Sequence, residues 1–134
     1  MPIDYRSESL LRSLAELHRA TPEIRGSAVI THDGLVIASY PPGWDADIHA
    51  PTGGENVAAM AAVVVTQAER TVARLEQGEL ERVLVEGERG TVGIFPVTAD
   101  TALALLIAKD VKLGLVLLNA RQAAGQIRTI LANR

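Results

Sequence analysis

Cysteine is absent from the chain, which excludes disulfides, thiolate nucleophiles and cysteine-bound metals. Aromatic residues are nearly absent as well, with one Phe, one Trp and two Tyr among 134 residues. A core must therefore be filled from Ala, Val, Leu and Ile, whose modest size lets helices and strands approach closely over flat surfaces. Long hydrophobic runs are missing too. The longest, Val57–Val65 and Thr101–Ala108, fall far short of the roughly 20 residues of a membrane span. The first twenty residues hold no apolar signal core and read as a polar-faced helix of the mature protein. Charge of one sign is not concentrated: the formal charge is −3, with basic residues scattered along the chain. That excludes a phosphate-binding groove, which needs a clustered basic surface. Together these absences predict a soluble, cytoplasmic protein without a nucleic-acid partner or a membrane span.

What is present is a 48% hydrophobic content, enough for one well-filled domain over residues 1–134 and too little chain for two. Leu10, Leu11, Leu14 and Leu17 recur at helical spacing between Ser7 and Arg19, ahead of a Thr21-Pro22 stop. Ser27–Thr31 and Leu35–Ser39 flank His32-Asp33-Gly34, and Asp-Gly supplies the positive φ angles of a hairpin turn. After a loop from Tyr40 to Thr52, Thr52 and Glu55 have capping-box spacing and open a helix running to about Glu76, with Gly78 beyond it. Leu80–Glu86, Thr91–Val97 and Thr101–Ala108 are strand candidates joined by turns short enough only for antiparallel pairing. Leu113 to about Ala132 closes the chain as a helix. The predicted fold class is α/β in the α+β sense: an α-β-β-α-β-β-β-α three-layer sandwich on a five-stranded antiparallel sheet. Both faces of the sheet are covered, because Leu35–Ala38 and Thr101–Ala108 lack polar alternation.

The middle helix is apolar at nine consecutive positions from Val57 to Val65, and so all the way round. One side faces its own sheet; the other needs a second cover, most simply the same helix of a second copy about a two-fold axis. The alanines at 58, 59, 61 and 62 would let two such backbones come close. Val57, Ala58, Ala61, Ala62, Val64 and Val65 are accordingly the expected helix contribution to a homodimer. The strand Leu80–Glu86, placed at a sheet edge, would add Arg82, Val83, Leu84 and Val85 by pairing with its twin, which removes an edge hazard.

Chemistry finds little to hold. His18 ends the first helix, where it could complement the helix dipole; His32 lies in a turn and His49 in a loop. None has a partner at metal-ligand spacing, Asp45 and Asp47 read as solvated, and no metal, cofactor or catalytic residue is expected. A G-x-x-x-x-G-K-[ST] segment is missing, so the chain is not itself a P-loop enzyme. Thr52-Gly53-Gly54 reads as helix capping rather than a phosphate cradle. Trp44, set between Pro-Pro-Gly and two aspartates, is either an aromatic anchor for a partner or a cover folded back over the hairpin or a helix end. Gln67, Arg70 and Arg74, on the far half of the middle helix, are candidates to rim a partner surface. A small-ligand site would need Tyr40, Trp44 and Phe95 to line one pocket.

Ile24-Arg-Gly-Ser-Ala-Val-Ile-Thr-His-Asp-Gly-Leu-Val-Ile-Ala38 resembles the first hairpin of the roadblock (dynein light chain) family. Leu103–Asp110, Lys112-Leu-Gly-Leu-Val116 and Leu118-Asn-Ala-Arg-Gln-Ala-Ala124 resemble its last strand and closing helix, and the Gly-Gly-Glu opening of the middle helix fits as well. The resemblance runs from about Ser7 to Leu131. It implies dimerisation through the middle helix and an edge strand, and a non-enzymatic adaptor whose partner is a Ras-like small GTPase, as in gliding-motility systems. Stimulation of GTP hydrolysis would then come by positioning the GTPase's own groups rather than by an inserted arginine, for which Arg89 at a turn tip is the projecting candidate. A scaffold subunit of a larger assembly is the alternative the resemblance leaves open.

Overall fold

The computed structural model describes residues 5–46 and 50–133, with side chains from residue 7 onward. In chain order these form α1 (Tyr5–Ala20), β1 (Ile24–Thr31), β2 (Val36–Tyr40), α2 (Gly54–Arg74), β3 (Val83–Glu86), β4 (Gly90–Thr98), β5 (Thr101–Ala108) and α3 (Leu113–Ala132). The strands make one antiparallel sheet in the order β2-β1-β5-β4-β3.

β5 is the central strand, and its two-residue alternation divides the core in two. Leu103, Leu105 and Ile107 enter one hydrophobic cluster with Leu10, Leu14 and Leu17 of α1 and Val116, Ala120 and Ile127 of α3. Ala102 and Ala104 enter the other, beneath Val57, Ala58, Ala61, Ala62 and Val65 of α2. β5 is thus bulky toward the helix pair and small toward the single helix, where Ile30 of β1 and Ile94 of β4 supply the larger side chains. α1 and α3 are further joined by hydrogen bonds from Ser13 Oγ to Gln126 Oε1 (3.1 Å) and from Asn119 Nδ2 to Thr21 Oγ1 (2.8 Å).

The β1–β2 turn needs its glycine for a left-handed backbone, and it packs there against α2. Gly34 has φ +89, and a Cβ there would stand 3.4 Å from the Ala59 backbone, so the turn and α2 meet at this residue.

Several local expectations shift, β1 among them, which starts at Ile24 rather than Ser27. The Thr52–Glu55 capping box is not made: α2 begins at Gly54, its N-cap is Gly53, and no side chain caps it. The preceding loop does that work instead, since the Gly54 N–H donates to the Trp44 carbonyl at 2.9 Å. α2 ends at Arg74 rather than near Glu76. Glu76 takes a left-handed φ of 55, and the Gln77 and Glu76 N–H groups bond back to Val72 and Ala73. That is the Schellman pattern with a glutamate, not Gly78, in the position that favours glycine. β2 starts one residue late, with a register irregularity at its Val29/Ile30 partner. β3 is shorter than Leu80–Glu86 because Leu80 packs toward α2 instead of pairing.

Candidate interaction surface

α2 lies on the sheet along the line of Val57, Ala58, Ala61, Ala62 and Val65, each at most 7% exposed. These residues were expected to meet a second copy, and here the structure corrects the sequence reading. They face their own sheet and have no surface to offer. Val64 is only partly buried at the margin. The outward face carries Met60 at 65% and Val63 at 60% exposure instead.

The sequence held a signal for this choice. Gln67, Arg70 and Arg74 are exposed and continue the same outward stripe toward the helix C-terminus. Counting back from that polar half in steps of three and four reaches Val63 and Met60. In the apolar half alone, every face looks alike.

β3 is an edge strand, paired on one side only, to β4. Val83 turns toward the α2 layer and is partly buried, Leu84 is partly buried, Val85 is 48% exposed and Arg82 is exposed beside Glu81 at 3.9 Å. The described residues thus leave exposed an apolar stripe on α2, its polar continuation and a strand edge.

Trp44 stands apart from that surface. Its ring lies over Gly26 of β1 and against Gly54 at the start of α2, its Nε1–H donates to the Thr52 carbonyl at 2.8 Å, and it packs with the α2-side core. The half-buried indole is thus engaged by its own domain, as the covering alternative expects. Phe95 and Tyr40 belong to the opposite side of the sheet, with α1 and α3. The three rings therefore line no common pocket.

The histidines are structural among the described residues. His18 Nε2 and Ser27 Oγ are 2.8 Å apart, and the ring sits 4.6 Å from that of Tyr40. Burial lowers the His18 pKa below its ordinary 6.5, so the side chain is neutral near pH 7 and supplies no cation to the helix end. His32 Nε2 stands 3.3 Å from Glu69 Oε1, tying the β1–β2 turn to α2 without the alignment of a hydrogen bond. Asp45 accepts a hydrogen bond from Ser39 Oγ at 2.8 Å; Asp47 and His49 lie outside the described residues. Among the described residues no group of three His, Asp or Glu could hold a metal ion, and no helix is long and apolar enough to cross a membrane. Arg89 is exposed in the β3–β4 turn, which the Gly87 N–H closes onto the Gly90 carbonyl at 2.9 Å.

Comparison with known proteins agrees with this fold. The Roadblock/LC7 domain model matches residues 11–107. An uncharacterised protein of Methanocaldococcus jannaschii, MJ0310, is 37% identical over 119 residues, which are 89% of this chain and 96% of that one. The gliding protein MglB of Thermus thermophilus superposes with a TM-score of 0.81 at 20% identity, covering 97% of this chain and 93% of that one. Myxococcus xanthus MglB gives 0.80 at 15% identity, covering 98% and 93%. At these identities the two structures speak to the fold alone.

Proposed function

From the premise that this chain belongs to the Roadblock/LC7 domain family, we propose that it is a non-enzymatic homodimeric adaptor for a Ras-like small GTPase. The observation that carries the reading is the pairing of Met60 and Val63, both mostly exposed on α2, with the one-sided edge strand β3. A lone domain rarely leaves both an apolar helix stripe and a bare strand edge in water. Antiparallel association of two copies would bury both at once, aligning α2 with its twin and extending the sheet through Val83, Leu84 and Val85. Gln67, Arg70 and Arg74 would then rim the joined helices as a polar platform for the GTPase.

Within that platform the adaptor stimulates GTP hydrolysis by holding the GTPase's own groups in place. Arg89 is set in a solvated turn and plays no part in hydrolysis. Single-turnover hydrolysis by Ras-like GTPases of the same organism, with and without this protein, tests the proposal. Acceleration of about tenfold or more that survives Arg89→Ala is the expected result; loss of the acceleration on that substitution would mark an inserted arginine instead. GTP-dependent binding without acceleration would leave an effector. Neither binding nor acceleration would favour a scaffold subunit, which could use the same α2–β3 surface to pair with a different roadblock chain.

A further inference from the structure

The turn after β3 fixes which way the strand's backbone groups point. The Gly87 N–H bonds to the Gly90 carbonyl at 2.9 Å. From there β3 pairs with β4 between Glu86↔Thr91 and Val83↔Ile94, which leaves the second half of β4 open. Alternation along an antiparallel ladder aims the N–H and C=O of Val83 and Val85 at β4, and those of Leu84 and Glu86 at the free edge. The side chains alternate too. Val83 enters the α2-side cluster, whereas Leu84 lies opposite Gly93, near Phe95 and Ile107 of the other face. Leu84 and Glu86 therefore share the α1–α3 face, and Arg82, just before the strand, continues that row.

A two-fold axis normal to the sheet admits few pairings of this edge with its twin. It keeps each face of the sheet on its own side, so opposed residues come from the same row. Centred on Leu84, the pairing sets Leu84 against Leu84, Val83 against Val85 and Arg82 against Glu86. Slid by two residues in either direction, it sets the partly buried Leu84 against Arg82 or against Glu86. Both charges are available for the centred arrangement. Arg82 is exposed, and its ion pair with Glu81 is stretched to 3.9 Å. Glu86 is exposed and has no ion pair among the described residues.

We propose that Arg82 of one copy pairs with Glu86 of the second copy, twice about the axis, and that this pair sets the register of the dimer and selects an identical chain as partner. The inference rests on the proposed homodimer and adds to it a criterion for partner choice. Opposite charges facing each other across an antiparallel pair stabilise it, and like charges destabilise it. A related chain with the same sign of charge at both positions would meet a like charge at one of the two contacts, and so be rejected.

Charge reversal in the intact protein tests this. Arg82→Glu opposes two acids and Glu86→Arg two bases, so each variant alone should self-associate about tenfold or more weakly than the wild type in sedimentation equilibrium. Mixed in equal amounts, the two variants restore both pairs, and native mass spectrometry should show their heterodimer in excess over either homodimer. The double variant Arg82→Glu/Glu86→Arg should self-associate like the wild type yet exchange poorly with it. Circular dichroism melts check folding, and the milder Arg82→Gln and Glu86→Gln, each expected to weaken association less, replace any reversal that does not fold. Single variants that associate as the wild type does would overturn the proposal, as would a mixture with only the statistical proportion of heterodimer. Met60→Asp tells the two claims apart. A monomer there, with the charge-reversed dimers intact, removes the register pair and leaves the homodimer; a wild type monomeric at every concentration removes both.

Discussion

The Trp44 indole lies so close over Gly26 that a Cβ on residue 26 would stand 2.4 Å from a ring carbon. Gly26→Ala must therefore push the indole off the sheet, with an expected loss of about 1–3 kcal/mol by overpacking. Since Trp44 is the only tryptophan, its emission should shift to the red as the melting temperature falls. In a Trp44→Ala background the cost of Gly26→Ala should largely vanish, because the two residues act on one contact. An undiminished cost there would place the obstruction in the backbone instead.

Charge placed on α2 should separate association from folding. Met60→Asp and Val63→Asp alter residues 65% and 60% exposed and should yield stable monomers by light scattering. Ala61→Asp, at a site 1% exposed, buries a charge against the sheet and should lose several kcal/mol of stability. A folded dimer of unchanged mass in the Met60 and Val63 variants would refute the proposed interface.

His18 gives stability a definite pH dependence. Because burial lowers its pKa from 6.5 in the folded state, the unfolded chain holds more protons between the two values. Stability then rises with pH across that interval and levels off above about 6.5. Denaturant midpoints should accordingly fall on acidification through pH 6.5 toward the folded value. His18→Gln should flatten that part of the profile while keeping a hydrogen-bonding group near Ser27. An unaltered slope in the variant would assign it to other groups.

Glu76 occupies a left-handed position at φ 55, which costs a residue with a side chain about 1 kcal/mol relative to glycine. Glu76→Gly should recover roughly that amount in denaturant unfolding. A lower midpoint would reveal an interaction of the Glu76 side chain that outweighs the backbone strain.

Most of the architecture was legible because periodicity and turn chemistry are local. Leu10, Leu14 and Leu17 announced α1, Asp33-Gly34 announced the hairpin, and α3 runs over the expected span, Leu113–Ala132. The surface was less legible, for reasons that differ from residue to residue. Nine apolar positions in a row carry no phase, so Val57–Val65 could not reveal which side met the sheet until the polar half of α2 was used to set it. Trp44 was ambiguous because its partners, Gly26 and Gly54, are distant in sequence and have no side chain to advertise a contact. The open half of β4 depends on where β3 stops. Leu80 decides that by packing toward α2, a tertiary preference that overrides its place in an apolar run.

The alanine seam beneath α2 has a mechanical consequence. Ala58, Ala61 and Ala62 share one cluster with Ala28, Ala102 and Ala104, six small side chains among its ten buried residues, the larger being Ile30, Ile94, Val57 and Val65. Displacement along such a seam meets less resistance than lifting away from it, as in the shear of packed helices. What sets the helix's lengthwise position is a tether near each end, Gly54 N–H to the Trp44 carbonyl and Glu69 to His32. Met60 and Val63 lie between the two tethers in sequence, so a partner seated on them grips the stretch of α2 that links the Trp44 loop to the β1–β2 turn.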